Sequence, residues 1–309
     1  MEVSPDPTNP NENSSLEVSG FRQMEQVRCP VCDVEPRMFA IDHQGFRLCR
    51  CPVCKLEFAN PRPTLEELRE LLYQQEYFYL SGGEQQIAYT RGYQFHRQLD
   101  TIGKLLRRKG RLLDVGCGDG AFLAFAQKEG WEVTGTDIRL SEQALRLSCR
   151  LIEGQLGQAD FESGSFDAIR INHVLEHTQN PLLELQRSGR LIATEGILYI
   201  SVPNLAGISS RMKSLQSRLH LKARRWRHYA AIHHLWYFTP SSLKALVEKA
   251  GLRTICWETP VLKKPGRKPM AENLYRFLLE KTRWSSILDL YCSPNSVTLT
   301  DADKSADER

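Results

Sequence analysis

No stretch of this chain is long and apolar enough to span a bilayer, and its first residues lack the basic-then-apolar pattern of a secretory leader. Both absences point to a cytoplasmic chain, where thiols stay reduced, so the nine cysteines are not a disulfide framework. The clustered ones are left for metal, and Cys149, Cys256 and Cys292 for core packing. Lys and Arg are missing from the first twenty positions, which hold four acids with Pro, Asn and Ser. Residues 1–26 and 301–309 therefore read as disordered tails. Acids are missing between Glu195 and Glu248, where Arg211, Lys213, Arg218, Lys222, Arg224, Arg225, Arg227 and Lys244 all fall. The five tryptophans show no repeat, and the chain shows no internal duplication. With 41% apolar and 25% charged residues over 309 positions, the chain can bury one sizeable core and a small satellite.

The satellite is legible in two Cys-x-x-Cys knuckles, Cys29-Pro30-Val31-Cys32 and Cys51-Pro52-Val53-Cys54, with eighteen residues between them. Four thiolates at that spacing can close a tetrahedral site, for which Zn²⁺ is best suited. The competing readings are unligated core thiols or a redox pair. Cys49 is expected to be a spectator. Between the knuckles Arg37, Arg47 and Arg50 are balanced by Asp33, Glu35 and Asp42, so no phosphate-binding stripe is present and the role is structural. Residues 27–60 form this zinc-ribbon-like module and 61–110 two linking helices. The first starts at a Thr64-Leu65-Glu66-Glu67 capping box; the second follows Gly82-Gly83 and ends by Gly110.

The main domain, 111–300, opens on Leu112-Leu113-Asp114-Val115-Gly116-Cys117-Gly118-Asp119-Gly120. A short apolar run ending in glycines reads as a buried parallel strand and a tight turn. Ala121–Glu129 then reads as a helix stopped by Gly130, and Trp131–Asp137 as a second strand closed by an acid that can accept both hydroxyls of a ribose. The third glycine of a dinucleotide fingerprint is missing, because the spacing here is Gly-x-Gly-x-Gly. Asp114 would repel a pyrophosphate but can hold an ammonium, directly or through water. Ser141–Arg150 reads as a helix, with a third strand near Leu156. Phe166–Ile171 reads as the fourth strand, with Asn172 at its ligand-binding end, followed by a helix from Pro181 and a fifth strand over Gly196–Val202. Leu252–Glu258 and Ser293–Leu299 complete the set.

The glycine turn with Asp114 and Asp137 resembles the first motifs of the class I S-adenosylmethionine-dependent methyltransferases. Ser165-Phe166-Asp167-Ala168-Ile169, Val174-Leu175-Glu176-His177 and Val202-Pro203-Asn204 are similar to later motifs of that class. The resemblance implies an α/β, Rossmann-like, doubly wound and mostly parallel sheet with an N-terminal zinc ribbon and a helical cap. It also implies S-adenosyl-L-methionine as cofactor, held by Asp114, Gly116, Cys117, Gly118, Gly120, Asp137, Ile138 and Asn172, with Asp160 and Phe161 at the adenine. Together with Asn60-Pro61-Arg62-Pro63, the knuckles resemble a bacterial subgroup associated with secondary-metabolite or polysaccharide pathways.

The acid-free insert, 204–232, has Ile208, Met212, Leu215 and Leu219 at helical spacing and reads as a basic amphipathic cap. Three readings of 206–228 compete: a lid over an anionic or carrier-linked small-molecule acceptor, peripheral attachment to an anionic membrane, or a solvated face. His233 and His234 stand before Leu235-Trp236-Tyr237-Phe238-Thr239-Pro240, a segment resembling the acceptor border of quinone-type O-methyltransferases. Either imidazole can take a hydroxyl proton, so both are candidate catalytic bases. The expected function is methyl transfer to a small molecule, at oxygen. The rivals are a non-catalytic cofactor-binding scaffold that recruits a partner through its ribbon, and a nucleic-acid methyltransferase. Against the last, the fourth strand is followed by Asn172-His173-Val174-Leu175 and not by an Asn/Asp-Pro-Pro-aromatic tetrapeptide.

Overall fold

The computed structural model describes residues 17–71, 84–261 and 278–295. The tail readings for 1–16 and 301–309, and the Gly82-Gly83 break, lie outside the described residues.

The N-terminal part contributes short strands β1 (Met24–Glu25), β2 (Arg37–Ile41), β3 (Arg47–Arg50), β4 (Glu57–Ala59) and β5 (Arg62–Pro63). Helices α1 (Leu65–Leu71) and α2 (Glu84–Leu106) follow. The capping box at α1 is half made. Thr64 Oγ1 accepts from the Glu67 N–H, whereas the Glu67 carboxylate accepts from the Arg22 N–H.

The nucleotide-type unit then runs β6 (Arg111–Val115), α3 (Ala121–Lys128), β7 (Glu132–Asp137), α4 (Glu142–Leu145) and β8 (Arg150–Glu153). After it come β9 (Phe166–Asn172), α5 (Pro181–Leu191), β10 (Ile192–Pro203), α6 (Ile208–Arg218), β11 (Trp236–Tyr237), α7 (Pro240–Lys249), β12 (Leu252–Glu258) and β13 (Ile287–Pro294). Seven strands form one sheet in the order β12-β13-β10-β9-β6-β7-β8. β13 runs antiparallel to both its neighbours, while the pairs from β10 to β8 are parallel.

Local chemistry explains most boundaries. Gly120, at φ +75, caps α3, which buries Phe122, Leu123 and Ala126 against the sheet. Asn180 accepts from the Leu183 N–H with Pro181 in the first turn of α5, and Thr239 does the same for Ser242 ahead of Pro240 in α7.

Five expectations are corrected. The tail reading fails over 17–26, where Val18–Gly20 form a 3₁₀ turn, Phe21 is buried and β1 pairs with β5. The helix after β7 is one turn, and the third strand is Arg150–Glu153, paired with Thr134–Asp137. Leu156 is instead the buried residue of a 3₁₀ turn, since one apolar side chain is enough to seat a turn on the core. The last strand lies at Ile287–Pro294, earlier than expected. Finally, the cysteine module is not set apart by a linker. β11 adds to the edge of its sheet, giving the order β11-β4-β3-β2. Phe46, Leu48, Leu56 and Phe58 of the module share one apolar cluster with Ile169 and Val202 of the main sheet and with Phe238 after β11. A ribbon this small buries too little by itself, and the shared core supplies the missing apolar burial.

Candidate functional site: a glycine turn, a histidine rim and a four-cysteine cluster

The sulfur atoms of Cys29, Cys32, Cys51 and Cys54 all lie within 4.8 Å of one another, and Cys29 Sγ is 3.5 Å from Cys54 Sγ. Zn–S bonds of about 2.3 Å in a tetrahedron place sulfurs about 3.8 Å apart, so the donor set suits Zn²⁺. The two knuckles share a backbone device. Asp33 and Lys55, each just past a second cysteine, have φ of 50° and 63°, folding the chain back around the thiols. Cys49 stands outside the cluster and donates to the Asn60 carbonyl, as a spectator should.

The second centre is the C-terminal edge of β6, β7 and β9. Gly116, Gly118 and Gly120 have φ of 72°, 58° and 75°, which L side chains rarely adopt. A Cβ on Gly116 would come within 2.2 Å of Val174 Cγ2, so the turn and the segment after β9 touch directly. The Gly116 and Cys117 N–H groups donate to the Thr136 carbonyl. Asp137 accepts from the Gly118 N–H at 2.8 Å and from the Arg139 N–H, beside Ile138; burial raises its pKa.

Asp114 is wholly buried, and Arg170 on the neighbouring strand donates to its Oδ1 at 2.6 Å. Burial pushes Asp114 up to about 6 against the opposing pull of Arg170. Its Oδ2 has no partner among the described residues. A buried carboxylate oxygen without a donor is costly, and the ammonium of an amino-acid-bearing nucleoside would satisfy it. The residues present therefore fit S-adenosylmethionine: the glycine turn and Asp114 for its methionine end, Asp137 for its ribose. Asn172, at the tip of β9, accepts from Gln98 of α2, and Gln98 also accepts from Arg170.

The structure does not bring Asp160 and Phe161 to this edge. Phe161 packs edge-on against Phe166, the first residue of β9, with ring centroids 5.0 Å apart. The exposed Asp160 gives its carbonyl to Arg150, the first residue of β8. Both therefore sit toward the strand N-termini, because the turn at Leu156–Gln158 has already reversed the chain. Beside Asp137 stand Glu153 and Gly154, whose N–H donates to the Asp137 carbonyl.

Sequence reasoning missed three contributors. Arg91 and Gln98 of α2 reach Asp119 of the turn and Asn172 of β9, so a presumed linking helix closes over the site. The polar Gln98, 2% exposed on an otherwise apolar helix face, was the available signal. The third is His173, directly after β9, whose Nδ1 is 3.1 Å from Oε1 of the buried Glu176. Burial alone would raise Glu176, but the hydrogen bond from His173 and the nearby His177 and His234 bring it to about 2. His173 moves up, as its bond to Glu176 outweighs burial.

His177 and His234 pack edge to face at 4.8 Å, and the His177 Nδ1 is 2.7 Å from the His233 carbonyl oxygen. The two expected bases thus join one histidine rim, but burial lowers His233 to about 4 and His234 to about 3. The ribbon builds this rim. Ala59 donates to the Leu235 carbonyl, Leu235 donates to the Glu176 carbonyl, and Trp236 Nε1 donates to Thr178.

A family model described as a methyltransferase domain matches residues 87–256, more than half of the chain. The ubiquinone biosynthesis O-methyltransferase of Idiomarina loihiensis is 26% identical over 157 residues, 47% of this chain and 62% of that protein. The protein of the same name from Alkalilimnicola ehrlichii is 31% identical over 103 residues, 30% of this chain and 42% of that one. The chain thus spans about half the length of these relatives. In structure it is similar to the 1,6-didemethyltoxoflavin-N1-methyltransferase of Burkholderia thailandensis, solved with 1,6-didemethyltoxoflavin and S-adenosylhomocysteine. That match has a TM-score of 0.50 at 17% identity over 84% of this chain and 99% of the other. On its sheet order, its glycine turn and its family match, the chain belongs to the class I S-adenosylmethionine-dependent methyltransferases.

Proposed function

We propose that this protein is a cytoplasmic enzyme that transfers the methyl group of S-adenosylmethionine to a hydroxyl of a small-molecule acceptor. The observation that supports this best is the juxtaposition, through Val174 and Gly116, of the cofactor turn with a rim of four histidines. The cofactor supplies an electrophilic methyl on a sulfonium, whose C–S electrons leave with sulfur. The protein is left to align the acceptor and remove its proton. The names of the curated relatives favour oxygen as the acceptor atom. Incubating the protein with S-adenosylmethionine and a panel of catechols should give mono-methyl ethers by mass spectrometry. Methylation of amines alone would overturn the choice of oxygen.

The ribbon is read as a zinc site closed by Cys29, Cys32, Cys51 and Cys54, structural in role. The insert adds a reading of where the acceptor is met. Ile208, Met212, Leu215, Leu219 and Leu221 are exposed, so the apolar stripe of α6 faces away from the core. Beside it lies a cavity of about 240 Å³ lined by Lys213, Ser217, Lys222, Arg224, Arg227 and His228. Exposed apolar residues next to cations, with no acid nearby in sequence, suit peripheral contact with an anionic membrane surface better than a solvated face. A soluble anionic or carrier-linked acceptor is the other occupant this cavity would suit.

A further inference from the structure

We propose that His173, oriented by Glu176, is the base that takes the proton from the acceptor hydroxyl. The inference rests on the O-methyl-transfer reading above and assigns its proton step to one nitrogen.

His173 follows Asn172 at the C-terminal tip of β9, and the next residue, Val174, presses on Gly116 of the cofactor turn. The histidine is therefore held beside the place where a nucleoside would lie. Its φ is +54°, a left-handed conformation that few non-glycine residues adopt, and its own N–H donates to the Ser201 carbonyl at 2.9 Å. Such a conformation persists only where the surroundings impose it, and it turns the chain sharply at the strand end.

Glu176 is 1% exposed and the His173 side chain 39%, so the carboxylate lies behind the ring and the ring meets the open edge. Glu176, brought to about 2, is ionised throughout the working range and can only accept. The Nδ1 of His173 must then carry its proton, which leaves Nε2 with the lone pair. The groups facing the pair are His177 and His234 on the rim, Arg170 on β9 and Asp289 on β13. Asp289 and Glu176 favour the imidazolium and Arg170 opposes it, with a net upward shift. Burial makes His233 and His234 weak proton acceptors.

The step balances. The acceptor O–H gives its proton to Nε2, and the freed oxygen pair forms the new O–C bond. The C–S bond breaks with its electrons on sulfur, turning the sulfonium into a neutral thioether. His173 is left as an imidazolium beside the Glu176 carboxylate until solvent takes its proton.

Histidine-selective ¹⁵N NMR on the free, full-length protein tests the pair without turnover, with His173 assigned by the signal that His173→Asn removes. Neutral His173 should be the Nδ1–H tautomer, and Glu176→Gln should lower its titration midpoint by about one unit or more. Glu176→Asp serves if the Gln variant does not fold. An Nε2–H tautomer, or a midpoint that neither variant moves, overturns the proposal. Turnover is then read with S-adenosylmethionine and catechol. His173→Asn should lose about 10²–10⁴-fold in kcat, with cofactor affinity by calorimetry unchanged, and Glu176→Gln should shift the acid limb of the pH profile. Full kcat in His173→Asn overturns the proposal. If the wild type methylates no catechol, the O-methyl reading fails by itself, and the NMR result still decides whether His173 and Glu176 act as a dyad.

Discussion

At the scale of single residues, much of the setting of one acid at the cofactor edge stays hidden in the sequence. Asp114 was legible as an ammonium holder from the run before Gly116, but not its burial or its bond to Arg170. The partner lies 56 positions away on another strand, and strand pairing is not local information. The bond leaves Oδ2 for a ligand, and burial pushes the carboxyl up to about 6 against the pull of Arg170. Above that value Asp114 is ionised and can accept an ammonium. As pH falls through about 6 it takes up a proton, and the acceptor is lost. Calorimetry should therefore show S-adenosylmethionine affinity falling between pH 7 and pH 5, and Asp114→Asn should bind weakly at both. An affinity that ignores pH in this window would remove Asp114 from the binding site. Phe161 shows the opposite failure: a resemblance in sequence set it at the adenine, and packing against Phe166 set it at the other end of the sheet.

Elements were legible where periodicity or capping was strong. α3, α5, β7 and β9 fall where a glycine stop, the proline at 181 and apolar runs place them. β8 was not, because Arg150-Leu151-Ile152-Glu153 is too short for a pattern and gains its conformation from pairing with β7. β11 is shorter still, and its partner β4 is far away in sequence. That pairing has a consequence for function, since β4 and Ala59 hold the chain that carries His233 and His234. Elemental analysis of protein purified without added metal should show one Zn²⁺ per chain. Cys32→Ser should lose it and Cys49→Ser keep it. Chelation should also slow methyl transfer while changing cofactor affinity little, because the rim depends on the ribbon and the glycine turn does not. Full zinc in Cys32→Ser would rule out this ligand set.

Over the whole molecule, the division into ribbon, linking helices and catalytic domain gives way to one shared core. Phe39 of β2 packs edge-on against Trp226 of the insert, and the Tyr229 hydroxyl donates to Glu57 at 2.6 Å. The insert thus rests on the ribbon, and α6 turns its apolar stripe outward. The 3.6-residue spacing identified that stripe but could not say which way it faced. If it meets an anionic surface, the protein should float with vesicles containing an anionic phospholipid and not with neutral ones. Replacing Arg224, Arg225 and Arg227 together, or Met212 and Leu215 by Ser, should abolish flotation, and binding should weaken as salt rises, with screening over about 8–10 Å. Unchanged flotation would end the membrane reading. Unchanged flotation and acceptor KM together would leave a solvated face. The central claim, a sulfonium nucleoside held between the glycine turn and Asp137, is tested most directly by titrating S-adenosylmethionine and NAD into the wild type and into Asp137→Ala. The wild type should bind S-adenosylmethionine and not NAD, and the variant should lose about 2–3 kcal/mol, the range of a charge-assisted hydrogen-bonded pair. Tight NAD binding without S-adenosylmethionine binding, or an Asp137→Ala variant with full affinity, would contradict it.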